Sequence, residues 1–266
     1  MHYITRIVLV FFLIFPAAYA EKMEIKIDGK SIVLPSWPAY KQNYGAVILI
    51  QGGEQASWSV LLAHLAKKLA YNGWSTVLLN CSPDVSVPWI KQLPVVISTL
   101  RQQKSRRIVV IHYGQQLQQT LEYIMKPQVP ELIEGLAMLS AYTLPKNTDK
   151  LPEQHVPLFD IVGQFDYDMP IQQMKQRQKN LGNSNYRAIK IPGAYNDYAY
   201  SHELLFAFLH GWMLKLPEFK IAAAPIPVSY LEPIFPYLAQ KIAQKHGADW
   251  DGFLDHPDEP DDLVEK

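Results

Sequence analysis

The chain has 266 residues, of which 48% are hydrophobic and 19% are charged, so it can bury a large core and fits one domain of the α/β size range, with or without an appendage. Its formal net charge is zero and its pI is about 7.1, which gives no overall attraction for nucleic acid, and we predict no nucleic-acid partner. Cys81 is the single cysteine, which excludes an internal disulfide, and a core of this size does not need one.

Residues 1–20 have the three-part layout of a secretory signal peptide. A single cation, Arg6, precedes an apolar run over residues 7–15, and an A-x-A cleavage motif follows at residues 18–20. An uncleaved membrane anchor is the alternative, but the apolar run is shorter than the about 20 residues that span a hydrocarbon core. We therefore predict an exported protein, periplasmic or secreted, with no stable membrane span after cleavage.

Strand and helix patterns alternate from residue 21 onwards. A hairpin is predicted around Asp28-Gly29, followed by "YGAVILIQGG", whose unbroken apolar run is typical of a strand buried on both faces. Apolar residues recur at helical spacing in "WSVLLAHLAKKLAYNG". The strand "WSTVLLN" and the helix "WIKQLPVVISTLRQQ" come next, and we expect Pro94 to interrupt that helix.

The second half continues with the strand "RIVVI", the helix "QQLQQTLEYIM", three strands and a closing helix, "ELLFAFLHGWMLK". This alternation predicts an α/β, doubly wound, mostly parallel sheet with helices on both faces, over residues 21–216. A proline-rich and helical extension follows at 217–248. Residues 249–266 form an acidic tail that we expect to be mobile. The tail is a solubilising end or, through Trp250 and Phe253, a docking motif.

Candidate functional residues follow the strands, because reacting groups in parallel sheets sit at the carboxyl ends of the strands. By this rule, the residues to consider are Gln51, Asn80, Cys81, His112, Tyr113, Asp166 and the loop 195–197.

Four segments together resemble the α/β-hydrolase fold. A strand ends in "QGG", where the loops of the oxyanion hole begin in that fold, and "VVIHYGQQ" occupies the place of the nucleophile elbow. "DIVGQFD" resembles the turn that supplies the acid, and "IKIPGAYND" the loop that supplies the histidine. Residues 45–216 are also similar to an uncharacterised family of secreted proteobacterial α/β-hydrolase-like proteins. That resemblance implies a fold but no particular reaction.

The elbow lacks a nucleophile. Aligned with the elbow of a hydrolase, Gly114 takes the nucleophile position; shifted by one residue, Tyr113 takes it. Glycine tolerates the positive φ of such a turn but has no side chain to attack with, and tyrosine is poorly suited to that backbone. Neither register offers serine, cysteine or aspartate.

The positions of the acid and of the histidine differ in how well their residues suit catalysis. Asp166 matches the position of the acid, although a loop carboxylate is an equal interpretation. The histidine position falls at Asn196, whose amide does not titrate and cannot act as a general base. His202 lies six residues further on, where we expect a surface or packing role. The sequence therefore predicts vestigial positions at Gly114, Asp166 and Asn196.

A substitute site remains open, in which Cys81 and His112 form a thiolate–imidazole pair. Asp84 and Asp168 could add a carboxylate cluster. Sequence spacings typical of metal sites or phosphate loops are absent, and we predict no metal or cofactor.

Aromatic residues are frequent near the predicted cleft, as in a binding surface for a peptide, glycan or amphiphile. They are Trp58, Trp89, Tyr113, Tyr167, Tyr195, Tyr198 and Tyr200. We predict a non-catalytic relative of the hydrolases that binds an unknown small molecule or envelope protein in the former active-site cleft; the alternative is a weak ester or acyl hydrolase using Cys81 and His112. The predicted ligand-binding residues are Gln51, Gly52, His112, Tyr113, Asp166 and Tyr195.

Overall fold

The computed structural model describes residues 21–40, 42–53, 59–79, 81, 85–126, 133–143, 156–181 and 185–218. The predicted signal peptide, the acidic tail and nearly all of the extension lie outside these residues, as do Trp58, Asn80 and Asp84.

Thirteen helices and strands cover the described part of the chain. The strands are β1 (Glu21–Ile27), β2 (Lys30–Trp37), β3 (Gly45–Gly52), β4 (Trp74–Leu78), β5 (Ile108–Gly114), β6 (Gly135–Leu139), β7 (Leu158–Gly163) and β8 (Tyr186–Ile191). The helices are α1 (Val60–Tyr71), α2 (Trp89–Gln102), α3 (Leu117–Ile124), α4 (Asp168–Leu181) and α5 (His202–Met213).

The eight described strands form one sheet in the order β1-β2-β4-β3-β5-β6-β7-β8. From β4 to β8 the strands are parallel, and β1 and β2 extend the sheet antiparallel at one edge. The predicted doubly wound, mostly parallel sheet is therefore confirmed. The parallel arrangement brings the carboxyl ends of β3, β5, β6 and β7 to the same edge of the sheet.

The core lies on both faces of this sheet, because the central strands are buried on both sides. All eight residues of β3 are buried; Ile48 and Ile50 pack on one face, beneath α2 and α3, whereas Val47 and Leu49 pack on the other, beneath α1 and α5. The unbroken apolar run in the sequence corresponds to this two-sided burial.

The prediction that Pro94 interrupts its helix is wrong, because α2 runs continuously from Trp89 to Gln102 with Pro94 inside it. The buried face of the helix packs on the sheet through residues that include Leu93, Val96 and Ile97. That packing offsets the backbone hydrogen bond that proline removes.

Among the described residues, no helix is long and apolar enough to cross a membrane.

Candidate functional site

A cleft of about 370 Å³ lies where β3, β5 and β6 end. It is lined by Gly52, Tyr113, Gly114, Gln115, Ser140, Tyr142, Tyr167 and Asn196. A larger groove, of about 580 Å³, lies between β8 and α5 and contains none of the residues predicted for the site. The smaller cleft is therefore the candidate site.

The backbone at the end of β5 turns at Gly114, whose φ is +84°. Tyr113 lies within the strand and has no positive φ. Of the two alignments considered for the elbow, the one that puts Gly114 at the turn therefore fits the structure. Gln116 follows in a left-handed conformation, with φ +62°, and its side chain accepts a hydrogen bond from the indole of Trp89 at 3.1 Å. A sharp turn is thus present, and the residue at its apex has no side chain.

The loop after β6 holds this turn from the other side. The amide of Tyr142 donates to the carbonyl of Gly114 at 3.0 Å, and the carbonyl of Tyr142 accepts from the amide of Leu117 at 3.2 Å. These two bonds fix the first residue of α3 relative to the apex.

His112 is fully buried and does not line the cleft. Its Nε2 lies 2.6 Å from the carbonyl oxygen of Gln115, so Nε2 carries the proton and donates. Its Nδ1 then accepts from the hydroxyl of Thr120 at 2.8 Å. Both ring nitrogens are used inside the fold, and the prediction that His112 contacts a ligand does not fit this geometry.

The environment of His112 makes the fold sensitive to acid. Burial lowers its pKa from an ordinary 6.5 to about 4, against a smaller opposite effect of the Gln115 carbonyl. The unfolded chain therefore binds this proton first, and the free energy of unfolding falls as the pH drops from about 6.5 to about 4 and levels off below that. The difference in pKa corresponds to about 3 kcal/mol.

This pH dependence can be measured by urea unfolding at intervals between pH 7 and pH 4 for the parent and for His112→Gln. We expect the stability of the parent to decrease more steeply with acid than that of the variant. Parallel curves would contradict the assignment of a buried, neutral imidazole.

Gln51 is also buried and has an internal role. Its side-chain oxygen accepts a hydrogen bond from the amide of Ser59 at 2.6 Å, and Ser59 is the N-cap of α1. The end of β3 thereby positions the start of the next helix. Gln51 was predicted to bind a ligand, and instead its side-chain oxygen is used by the scaffold.

Asp166 accepts hydrogen bonds at both carboxylate oxygens. Oδ2 accepts from the hydroxyl of Ser140 and, at 3.2 Å, from the amide of Gly163, and Oδ1 accepts from the amide of Tyr167 at 2.8 Å. Burial raises its pKa, and these bonds act in the opposite direction. The geometry favours the interpretation of Asp166 as a carboxylate that holds the loop after β7.

Asn196, which the sequence resemblance aligns with the histidine of a hydrolase, lines the cleft. Burial raises the pKa of Tyr113, the carboxylates of Asp166 and Asp197 raise it further, and the side-chain amide of Asn196 acts in the opposite direction. Tyr113 is therefore a neutral hydrogen-bonding group at neutral pH.

Two residues anchor the site: Ser140, which was not predicted, and Tyr198, which was predicted only as part of an aromatic binding surface. Ser140, with φ +45°, follows β6 directly, and its hydroxyl lies 2.8 Å from the phenol of Tyr198. Tyr198 is fully buried, with φ +54°, and donates to the carbonyl of Ile161 at 3.0 Å. The rule that selected the strand ends also points to Ser140, because it is the first residue after β6.

The aromatic residues of the predicted binding surface divide into three groups. Tyr113 and Tyr167 line the cleft. Tyr195 and Tyr200 are exposed, and the ring of Tyr195 lies 5.4 Å from that of Phe165. Trp89 and Tyr198 are buried and serve the core instead.

Among the hydrogen bonds of the described residues, none joins Cys81 to His112. The thiol of Cys81 lies 3.5 Å from the carbonyl of Leu79, and both nitrogens of His112 have other partners. Burial raises the pKa of Cys81 from an ordinary 9.0 to about 11. A nucleophilic cysteine needs the opposite shift, so the geometry does not favour the alternative Cys–His site. In the part of the chain that is described, no cluster of His, Cys, Asp or Glu could hold a metal ion.

The thiol of Cys81 is expected to be unreactive in the folded protein. A pKa near 11 leaves about a hundredfold less thiolate than the ordinary value of 9.0, and burial hinders access further. We expect alkylation by iodoacetamide at pH 8 to be at least about 100-fold slower in the folded protein than in urea, as followed by mass spectrometry. Equal rates would show an exposed or activated thiol.

Neither a protein-family model nor a curated protein sequence matches this chain. Solved structures do match it at the level of the fold. An alpha-beta serine hydrolase homologue from Coxiella burnetii has a TM-score of 0.59 and 13% identity over 72% of this chain and 96% of its own. Est1E from Butyrivibrio proteoclasticus has a TM-score of 0.54 and 16% identity, over 73% and 97%. Dienelactone hydrolase from Anabaena variabilis has a TM-score of 0.59 and 12% identity, over 74% and 98%. The predicted α/β-hydrolase fold is confirmed.

Proposed function

We propose that this chain is an exported, non-catalytic protein of the α/β-hydrolase fold that binds a ligand in the cleft at the end of β5. The observation that carries the proposal is Gly114, which occupies the apex of the turn in place of a nucleophile. Export is supported by the signal-peptide pattern of residues 1–20.

The remaining polar groups of the cleft support a binding role over catalysis. Acyl transfer needs a nucleophile, a base that titrates and a group that orients the base. Here Asn196 carries an amide that does not titrate, and both oxygens of Asp166 accept hydrogen bonds from the surrounding loops. None of the residues that line the cleft is a histidine, and the hydrogen bonds of Asp166 hold the loops after β6 and β7.

Turnover of chromogenic esters with acyl chains of increasing length tests the proposal. The full chain is expressed and purified, and the parent is compared with Cys81→Ala and with Asn196→Ala. We expect all three to give rates equal to the blank, and an alkyl fluorophosphonate to label none of them. Turnover that persists through purification and falls in either variant would overturn the non-catalytic assignment.

The binding part of the proposal has its own pair of variants. Tyr167→Ala removes part of the wall of the cleft, whereas Tyr200→Ala changes a tyrosine that is 94% exposed and does not line it. In a ligand-observed NMR screen of small molecules, we expect compounds that bind the parent to show no binding signal with Tyr167→Ala. The same compounds should keep their binding signal with Tyr200→Ala. Compounds that respond equally to both variants bind elsewhere.

A further inference from the structure

We propose that the cleft takes a small organic cation, such as a quaternary ammonium or alkylamine group, which sits among the rings of Tyr113, Tyr142 and Tyr167. This inference rests on the proposed function, since it names the chemical class of ligand for the same cleft. It is carried by three features of the site: its aromatic walls, the carboxylates beside them, and the hydroxyl of Ser140, which is already engaged.

The walls of the cleft are rich in tyrosine. Three of its eight lining residues are tyrosines, supplied by the end of β5, the loop after β6 and the loop after β7. Aromatic rings carry partial negative charge on their faces and attract organic cations, and several rings around one pocket are the usual receptor for methylated ammonium groups. The volume of about 370 Å³ fits a ligand of that size.

The charged side chains that act on the phenol of Tyr113 are carboxylates. The carboxylate of Asp166 accepts a hydrogen bond from Ser140, which lines the cleft, and Asp166 and Asp197 both raise the pKa of Tyr113. Of the described residues that line the cleft, none is lysine, arginine or histidine. A cation is therefore attracted to the cleft, and an anion such as a fatty acid or phosphate ester is repelled.

The hydroxyl of Ser140, which lines the cleft, is used within the protein, and this disfavours a neutral sugar there. The hydroxyl of Ser140 bonds to Asp166 and lies 2.8 Å from the phenol of Tyr198. A sugar hydroxyl that bonded to Ser140 would have to displace one of these partners, whereas a methylated ammonium group needs no hydrogen bonds.

Choline and 3,3-dimethylbutan-1-ol provide the test, because they have the same shape and differ in the charge. Both are titrated by NMR and calorimetry into the purified protein expressed from the full chain. We expect choline to bind at least about tenfold more tightly than the neutral alcohol. Tyr167→Leu should weaken choline binding at least about threefold, and Tyr167→Phe, which keeps the ring, should retain it.

Two further variants separate the cleft from the rest of the surface. Asp197→Asn removes one carboxylate and should weaken binding of choline without changing that of the alcohol. Tyr200→Leu alters an exposed tyrosine outside the cleft and should change neither.

Each outcome distinguishes the two proposals. Equal binding of choline and the alcohol would overturn the cationic class and leave the binding cleft standing. Absence of choline binding, or binding that survives Tyr167→Leu unchanged, would also overturn it. Ester turnover by the same preparation, lost in Asn196→Ala, would instead overturn the non-catalytic function.

Discussion

Arg177→Met is expected to lower the free energy of unfolding by about 3–5 kcal/mol, because it leaves a carboxylate buried without its counter-charge. Asp160 lies in the middle of β7 and is fully buried. Its Oδ2 accepts from Nε of Arg177 at 2.7 Å and from the phenol of Tyr186 at 2.7 Å. Its Oδ1 has no hydrogen-bond partner among the described residues, so little remains to stabilise the charge when the guanidinium is removed.

The effect should extend to the cleft, because Arg177 also donates to the carbonyl of Ala141 at 3.1 Å. Gln173, one turn earlier on α4, bonds to both the amide and the carbonyl of Thr143 at 2.9 Å. Ala141 and Thr143 are the chain neighbours of Tyr142, whose backbone holds the turn at Gly114. Helix α4 thus positions one wall of the cleft through the loop after β6.

Urea unfolding at pH 7 measures the loss, and two comparisons show its origin. Asp160→Asn combined with Arg177→Met removes both charges and should be more stable than Arg177→Met alone. Glu203→Gln breaks the pair between Lys68 and Glu203 on the surface, where Glu203 is 84% exposed, and should leave the unfolding midpoint unchanged. A loss below about 1 kcal/mol for Arg177→Met would show that water replaces the guanidinium.

The scaffold could be predicted because its signals are local. Apolar runs, helical periodicity and turn residues give the order of strands and helices, and the parallel order then gives the edge at which the site lies. The local sequence does not predict that the helix continues through Pro94, because this depends on how α2 packs against the sheet.

The roles of the residues at the strand ends were harder to predict, because a position at the edge does not say whether a side chain faces solvent or core. The alternation along β5 contained part of the answer. His112 has the same parity as Ile108 and Val110, which pack on the face covered by α2 and α3. Its partner there, Thr120, belongs to α3. The internal bonds of Gln51 and Asp166 depend on loops whose conformations no periodic pattern specifies.

Of the glycine-to-alanine changes at the cleft, Gly52→Ala should be the most damaging. We expect it to lower the free energy of unfolding by about 4 kcal/mol or more, or to prevent folding. A Cβ atom on Gly52 would lie 1.5 Å from the carbonyl oxygen of Gln115 and 2.7 Å from Nε2 of His112. The oxygen belongs to the backbone of the turn, so relief requires the turn itself to move. That movement would break the bond between His112 and Gln115, which is 2.6 Å long.

Two glycines with positive φ serve as controls for this variant. At Gly193 (φ +70°) no heavy atom lies within 4 Å of an added Cβ, so Gly193→Ala measures the backbone cost alone, about 1–2 kcal/mol. At Gly114 (φ +84°) the Cβ would lie 3.5 Å from the carbonyl oxygen of Gly52, an ordinary contact, and Gly114→Ala should cost about the same. Urea unfolding of the three variants ranks their free energies of unfolding. A Gly52→Ala protein as stable as Gly193→Ala would contradict the close approach of Gly52 to the carbonyl of Gln115.

This comparison also bears on why the apex of the turn carries no side chain. Gly52 is required by packing, because the strand and the turn approach each other too closely for any other residue. The space beside Gly114 would accept a Cβ, and its φ of +84° is positive, as is that of the residue at a nucleophile elbow. Packing therefore does not account for the missing nucleophile. The turn has a positive φ and room for a small side chain, and a glycine at its apex agrees with the non-catalytic function that we propose.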